Sequence, residues 1–488
     1  MTDTVTAPTT DSDATGAAGA SAGIRPTVDA AHWERRLGEL AARHGVPGAQ
    51  LGILRLGEDG ERDDLVTAVH GYLHVPAKIP VSPEAVFQIG SISKVWTATV
   101  VMQLVDEGLV TLDTPIIEVL PDFELADMDV ARQVTLRHLL AHTSGIDGDV
   151  FTDTGRGDDN LEKYVALLKE QTQNHPIGAT WSYCNAGFSL AGRVIEVLTG
   201  TTWDVAMRER LYAPLGLAAT GTLPEEALLH PAAVGHVDGP DGEPKVVPVW
   251  GLPRPLGPAG LITCPVSDLL AFARMHLSGG VAADGARVLS EASVAEMASK
   301  QAELPDPYTL GDSWGIGWIR FDWNGHRLIG HDGNTIGQAA FLRLLPEQGF
   351  AVALLTNGGH TRDLYMDLYR EIFAEVAGVE MAEPLGPVEG AEGDITPHLG
   401  VYGRASVRID VTAGEDGGRP VLRMTPLGLL AELEDDPGTD YPLHPVGEDL
   451  WVTRAPGTET WMAVTFYELE DGRKYVHLGA RATPKLDA

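Results

Sequence analysis

Cysteine is scarce in this chain: Cys184 and Cys264 are the only two in 488 residues. That excludes a disulfide framework and a metal cluster built on cysteines. Positive charge is scarce too, with 35 Lys and Arg against 69 Asp and Glu, a formal net charge of −34. Nucleic acid or an anionic membrane would be repelled, so neither is an expected partner. No apolar run reaches the roughly 18 residues that a membrane-spanning helix needs. The opening stretch "MTDTVTAPTTDSDATGAAGASAG" has no basic n-region and no apolar h-region. It reads as a disordered tail over 1–27, not a secretory signal, and the cytoplasm is the expected location.

What remains is the composition of a soluble globular protein, 44% hydrophobic and 21% charged, too long for one core. "AAHWERRLGELAARH" sets Trp33, Leu37, Leu40 and Ala41 at helical spacing, with Gly45 as a stop. "GAQLGILRLGEDGERDDLVTAVHGYL" reads as two strands around an Asp59-Gly60 turn. "VTLRHLLAHTSG" is a short helix capped by Thr135, "NAGFSLAGRVIEVLTG" a longer one, and "SDLLAFARMHL" a helix capped by Ser267. Three strands follow, "HRLIGHDG", "QAAFLRLLP" and "FAVALLTN", then the amphipathic helix "TRDLYMDLYREIFAEVAG". This order predicts an α+β body over 28–378, with both of its ends in one sheet. The acidic, Pro/Gly-rich stretch 379–396 is the expected linker. Beyond it, short alternating strands with a turn at Asp471-Gly472 predict a small all-β unit, a barrel or a sandwich, over 397–488.

The stretch "FQIGSISKVW" places Ser91 and Lys94 three residues apart where a helix begins. On a helix, i and i+3 share a face, so hydroxyl and ammonium come within reach. A helix N-terminus also offers N–H groups to the oxygen of an attacked carbonyl. A desolvated lysine loses its proton near neutral pH and could serve as the base. The same four letters also describe a serine cap followed by a solvated lysine. Two further elements bear on the choice. "SYCN" holds Tyr183 and Asn185 just before a helix, and "IGHDGN" holds His331, Asp332, Gly333 and Asn334 on an expected edge strand.

In this order, S-x-x-K, Tyr-x-Asn and His-Asp-Gly resemble the serine β-lactamase and penicillin-binding-protein superfamily, in its class C β-lactamase-like branch. The resemblance runs over about residues 30 to 378 and includes "VTLRHLLAHTSGI", "PAGLITCPVSDLLAFAR" and "SWGIGW". It implies an antiparallel sheet flanked by helices, with a helical insertion, and no metal or cofactor. The chemistry it implies is a covalent acyl-enzyme on Ser91, with Lys94 and Tyr183 sharing the proton work. Asn185 would orient Lys94 and bind substrate. The backbone N–H groups of Ser91 and Asn334 would form the oxyanion hole, with His331 and Gly333 beside the substrate. A tyrosinate at Tyr183 would require the lysine cation to lower a pKa that starts near 10. His331 could assist Tyr183, bind substrate or be a structural strand residue.

The third motif departs from Lys-Thr-Gly. An aspartate at 332 should repel a substrate carboxylate, which turns the expectation from β-lactams towards esters, thioesters and amides. The expected function is therefore a serine acyl-transfer enzyme that passes an acyl group to an amine or to water in a biosynthetic pathway. A small-molecule or peptide substrate, or a carrier-protein-bound thioester, would be its donor. The alternatives are a β-lactamase, a D-Ala carboxypeptidase or D-aminopeptidase, or a binding protein on the same fold. The C-terminal unit resembles the lipocalin-like domain of penicillin-binding-type thioesterases and D-amino-acid peptidases. Other residues have plainer readings. Ser189 in "GFSLAG" is helix interior, His138 and His142 lack the glutamate of a zinc helix, and Cys184 is a buried thiol. Trp250, Trp314 and Trp318 either line the acyl pocket or fill core.

Overall fold

The computed structural model describes residues 28–57, 61–239, 242–414, 418–428, 431, 438–455 and 457–486. The expected tail over 1–27 and the Asp59-Gly60 turn lie outside them. Helix α1 (Ala30–Arg43) starts where the Asp29 carboxylate accepts the N–H groups of Ala31 and His32, and buries Trp33, Leu37, Leu40 and Ala41. These four residues form the one stripe that the sequence spacing predicts.

The nine strands of the body's main sheet follow in chain order: β1 (Gly48–Arg55), β2 (Asp64–His74), β3 (Ile79–Pro80), β4 (Ala302–Glu303), β5 (Ser313–Trp314), β6 (Ile319–Trp323), β7 (His326–Thr335), β8 (Gln338–Leu345) and β9 (Phe350–Thr356). They form one antiparallel sheet in the order β3-β2-β1-β9-β8-β7-β6-β5-β4. β1 pairs with β9 from Ala49↔Thr356 to Arg55↔Phe350, so both ends of the body meet in mid-sheet as expected. β1, β8 and β9 are buried at every position because each face of the sheet is covered. On one face α1 packs beside the last helix of the body (Thr361–Ile372). Arg36 donates to both oxygens of Glu371, at 2.8 and 2.6 Å, across that pair.

The other face carries the helical body. Its centre is α2 (Ser93–Asp106), in which every residue except Val105 and Asp106 is buried. A helix apolar on all sides is an interior helix, not an amphipathic one. Around it stand α3 (Leu136–Leu140), α4 (Asn185–Thr199) and α5 (Val266–Leu277); the helix Thr361–Ile372 is α6. α3 is capped by Thr135 as expected, but it stops at Leu140 because His142 takes a left-handed backbone, φ 59°. α5 does not use Ser267 as its cap: Pro265 stands there, and Gln50 Oε1 accepts the Val266 N–H at 2.9 Å.

The C-terminal strands are β10 (Gly400–Arg404), β11 (Val407–Thr412), β12 (Val421–Pro426), β13 (Thr439–Pro442), β14 (His444–Pro445), β15 (Leu450–Thr453), β16 (Met462–Glu468), β17 (Lys474–Leu478) and β18 (Arg481–Pro484). They form two antiparallel sheets, β10 to β13 and β14 to β18, around a core holding Tyr402, Trp451 and Phe466. The expected all-β unit is present, as two sheets with no closed barrel among the described residues. They adjoin where Leu443 links β13 to β14 and where the Leu486 N–H donates to Val401 O at 2.8 Å. This unit is bonded to the body. Ala480 O accepts the Tyr183 N–H at 3.0 Å, the Ala482 N–H donates to Ser182 Oγ at 3.2 Å, and the Tyr475 hydroxyl donates to Asn174 O at 3.0 Å.

Candidate active site

β6 pairs with β7 only as far as Gly330, so residues 331–335 run on with that edge open. The short 3₁₀ turn Gly90–Ile92, which leads into α2, packs against this edge. Two glycines make the approach possible. A Cβ on Gly333 would sit 1.9 Å from Ile89 O and 3.0 Å from Ser91 N. A Cβ on Gly90, whose φ is +52°, would sit 2.6 Å from Asn334 N. Neither clash is tolerable, so the close approach that brings the Ser91 and Asn334 amides together depends on glycine at both positions.

Lys94 is buried. Its Nζ lies 3.0 Å from Ser91 Oγ and donates to Ala259 O at 2.7 Å. Burial, aided by the Arg481 charge, pulls its pKa well below the ordinary lysine value, while Asp149 and Cys184 pull weakly the other way. The amine is therefore poised to accept the Ser91 proton. Tyr183 is the opposite case. Burial raises its pKa, and neither its hydrogen bond to the Ser91 side chain nor Arg481 reverses that. Burial thus opposes the tyrosinate considered from sequence, and it also lowers the pKa of the lysine whose charge was to stabilise it. With its pKa raised, the phenol keeps its proton and can donate it.

Asn185 opens α4, and its Nδ2 donates to Asp149 Oδ1 at 3.1 Å. Among the described residues no hydrogen bond joins it to Lys94, so the expected orienting contact is replaced by one to Asp149. His331 is buried, its Nδ1 donates to Asp332 O at 2.6 Å, and its Nε2 is left without a partner among the described residues. Burial and the nearby Lys94 hold its pKa down to about 3, so the ring is neutral and Nε2 is an acceptor. Asp332, next along the strand, is bound by Arg343 at 2.6 Å and Arg362 at 2.9 Å. Burial would raise its pKa, but the two guanidiniums hold it below the usual carboxylate value. The expected repulsion of a substrate carboxylate does not stand: one aspartate flanked by two arginines is a net cationic cluster.

The remaining candidates are placed plainly. Ser189 Oγ donates to Pro255 O inside α4, and His138 Nδ1 accepts the Thr135 N–H in the cap of α3. Cys184 caps α4 by accepting the Gly187 N–H at 3.3 Å, and burial pushes its thiol up to about 12. His142 accepts the Cys184 N–H at 3.0 Å and lies against Tyr183, with ring centres 4.3 Å apart. Trp314 and Trp318 are core residues, the first packed on Tyr183 and His331, the second on Phe272 and His276. Trp250 contributes its carbonyl to the Gln88 side chain.

Sequence reasoning missed Asp149, Arg404 and Arg481. Arg481 lies in a short alternating strand with no motif around it, yet its guanidinium sits 5.0 Å from the Tyr183 ring centre. It lines the same cleft of about 640 Å³ as Ser91, Tyr183 and Asn185, with Leu385 and Trp461 also in the wall.

The family profile described as Beta-lactamase matches residues 33–375. Penicillin-binding protein 4 of Amycolatopsis lactamdurans is 46% identical over 379 residues, 77% of this chain and 98% of that protein. The crystal structure of SurE superposes with TM-score 0.73 and 28% identity, covering 93% of this chain and 99% of SurE; a second structure holds SurE with D-Leu. A D-stereospecific amidohydrolase from Streptomyces sp. gives TM-score 0.56 and 27% identity, over 72% of this chain and 99% of that one. The three motifs converge on one cleft, and these likenesses run through the body that builds it: the chain belongs to the beta-lactamase family of serine enzymes.

Proposed function

We propose that this chain is a serine acyl-transfer enzyme that takes an acyl group from an ester, thioester or amide onto Ser91 and delivers it to an amine or to water. The observation that carries the reading is the buried Lys94 amine 3.0 Å from Ser91 Oγ, beside the paired Ser91 and Asn334 backbone amides. Neutral Lys94 takes the Ser91 proton as Oγ attacks the carbonyl carbon. The two N–H groups stabilise the resulting oxyanion. Tyr183 relays the proton from Lys94 to the leaving group as the bond to it breaks. In the second half the incoming amine or water gives its proton back along the same path, and Ser91 is released.

The cleft, about 640 Å³, is walled partly by the C-terminal unit, which suits a peptide acyl group better than a small one. The likenesses to SurE, seen with D-Leu, and to a D-stereospecific amidohydrolase support a substrate with a D-configured residue at the reacting carbonyl. A cytoplasmic, biosynthetic setting with a carrier-bound thioester as donor fits this reading. It is tested with peptide N-acetylcysteamine thioesters ending in D- or L-residues, with and without an amine acceptor, resolved by mass spectrometry. The amide product from the D-series should exceed the free acid when amine is present. Free acid alone would reduce the enzyme to a hydrolase.

A second reading has its own support. Arg362 lines the cleft and outnumbers Asp332 together with Arg343, so a carboxylate-bearing β-lactam is not electrostatically excluded. Turnover of a chromogenic cephalosporin as fast as that of the thioester would favour it.

A further inference from the structure

Asp149 stands between the candidate site and the C-terminal unit, and its carboxylate is buried. Arg481 grips it through Nη2 at 2.9 Å and Nε at 3.1 Å, and Arg404 Nη1 reaches the same carboxylate. Asn185 Nδ2 donates to it at 3.1 Å, as does the Ser406 hydroxyl at 3.5 Å. Both arginines belong to the C-terminal unit, at the end of β10 and the start of β18. A buried aspartate without these partners would be strongly destabilising, so the body's half of this cluster makes sense only with the other half docked.

The chemistry of the contact fixes an orientation. A carboxylate only accepts hydrogen bonds, and a carboxamide has one donating and one accepting end. With Nδ2 committed to Asp149, the end of Asn185 left for the cleft is Oδ1, an acceptor suited to a substrate N–H. We propose that Asp149 is a positioning residue: held by Arg404 and Arg481, it fixes the Asn185 amide so that Oδ1 faces the substrate, and the C-terminal unit thereby completes the reaction centre. This rests on the acyl-transfer reading given above.

The test is a double-mutant cycle on the full chain, with a peptide thioester as substrate. Asp149→Asn offers a side chain that can donate as well as accept, so it permits the flip. It should lower kcat/KM by about 10- to 100-fold, the scale of a misplaced substrate-binding group. Asn185→Ala should cost a similar factor. If Asp149 acts through Asn185, adding Asp149→Asn to Asn185→Ala should cost less than about 2-fold further.

A pH profile supplies a second readout. The charged and titratable groups around Lys94 are Tyr183, Cys184, His142, His331, Asp149 and Arg481. Asp149 raises and Arg481 lowers the Lys94 pKa, so the acidic limb of kcat/KM should move to lower pH in Asp149→Asn and to higher pH in Arg481→Met. Should Asp149→Asn fail to fold by circular dichroism, Arg404→Gln enters the same cycle in its place. Fully additive losses, or an Asn185→Ala enzyme with wild-type kinetics, would overturn the inference while leaving Ser91 acylation intact. Undiminished turnover by Ser91→Ala would instead bring down the acyl-transfer reading and this inference with it.

Discussion

Lys94 is a buried amine, costly to the fold, and the proposed mechanism makes it the base. Unfolded, its ammonium holds a proton up to about pH 10.5; folded, burial expels that proton at much lower pH. Between those two values the unfolded chain binds one proton more than the native one. Stability therefore rises with pH across this window, by about 1.4 kcal/mol per pH unit from this group. Lys94→Met, which keeps the bulk without the charge, should flatten that slope in denaturant titrations at several pH values. It should leave the protein at least as stable below pH 8, while turnover falls by about three orders of magnitude or more. His331 is neutral, with its pKa near 3, so it does not supply the acidic limb of the rate profile. That limb should survive in His331→Gln, and its loss there would reassign it. The serine and lysine were legible as a pair because i, i+3 spacing is a local property of a helix. Which group sheds its proton was not, because it depends on burial supplied by residues hundreds of positions away.

At the scale of elements, the turn Gly90–Ile92 and the end of β7 matter through their backbones. The amides of Ser91 and Asn334 meet only because Gly90 and Gly333 lack side chains. Gly333→Ala would place a Cβ 1.9 Å from Ile89 O, which the rigid turn cannot absorb. The strand should be pushed from the turn and kcat should fall by about 100-fold, the cost of losing an oxyanion donor, with little change in far-ultraviolet circular dichroism. Activity within a few-fold of wild type would mean that the two amides do not act together. Sequence reading located α1, α4 and the three strands at β7 to β9 closely, because their apolar spacing and turn residues are local signals. It misjudged the start of α5, where Gln50 from β1 does the work of a cap, and the length of α3, which His142 ends by adopting a left-handed backbone. Both misses come from tertiary contacts overriding local preference.

At the scale of the molecule, the body and the C-terminal unit form one bonded assembly. Besides the Asp149 cluster, Asp363 on α6 accepts the N–H groups of Glu459 and Thr460, each at 3.0 Å, and the Thr460 hydroxyl at 2.5 Å. Asp363→Ala leaves those donors without a partner and should cost about 2 to 4 kcal/mol. Differential scanning calorimetry would read this as a lower Tm, and a variant with unchanged Tm would show that the contact carries no stability. The existence of a β-rich C-terminal unit was legible from its alternating strands. Its delivery of Arg481 to the cleft was not, since Asp149 and Arg481 lie 332 residues apart and neither sits in a motif.

Acylation of Ser91 is the step on which the proposed mechanism depends. Intact-mass spectrometry after brief incubation with a D-terminated peptide thioester, followed by peptide mapping, measures this directly. The expected result is one acyl adduct per chain on the peptide holding Ser91, absent in Ser91→Ala and discharged when an amine acceptor is added. Steady turnover with no adduct under rapid quench, or the same adduct in Ser91→Ala, would contradict it.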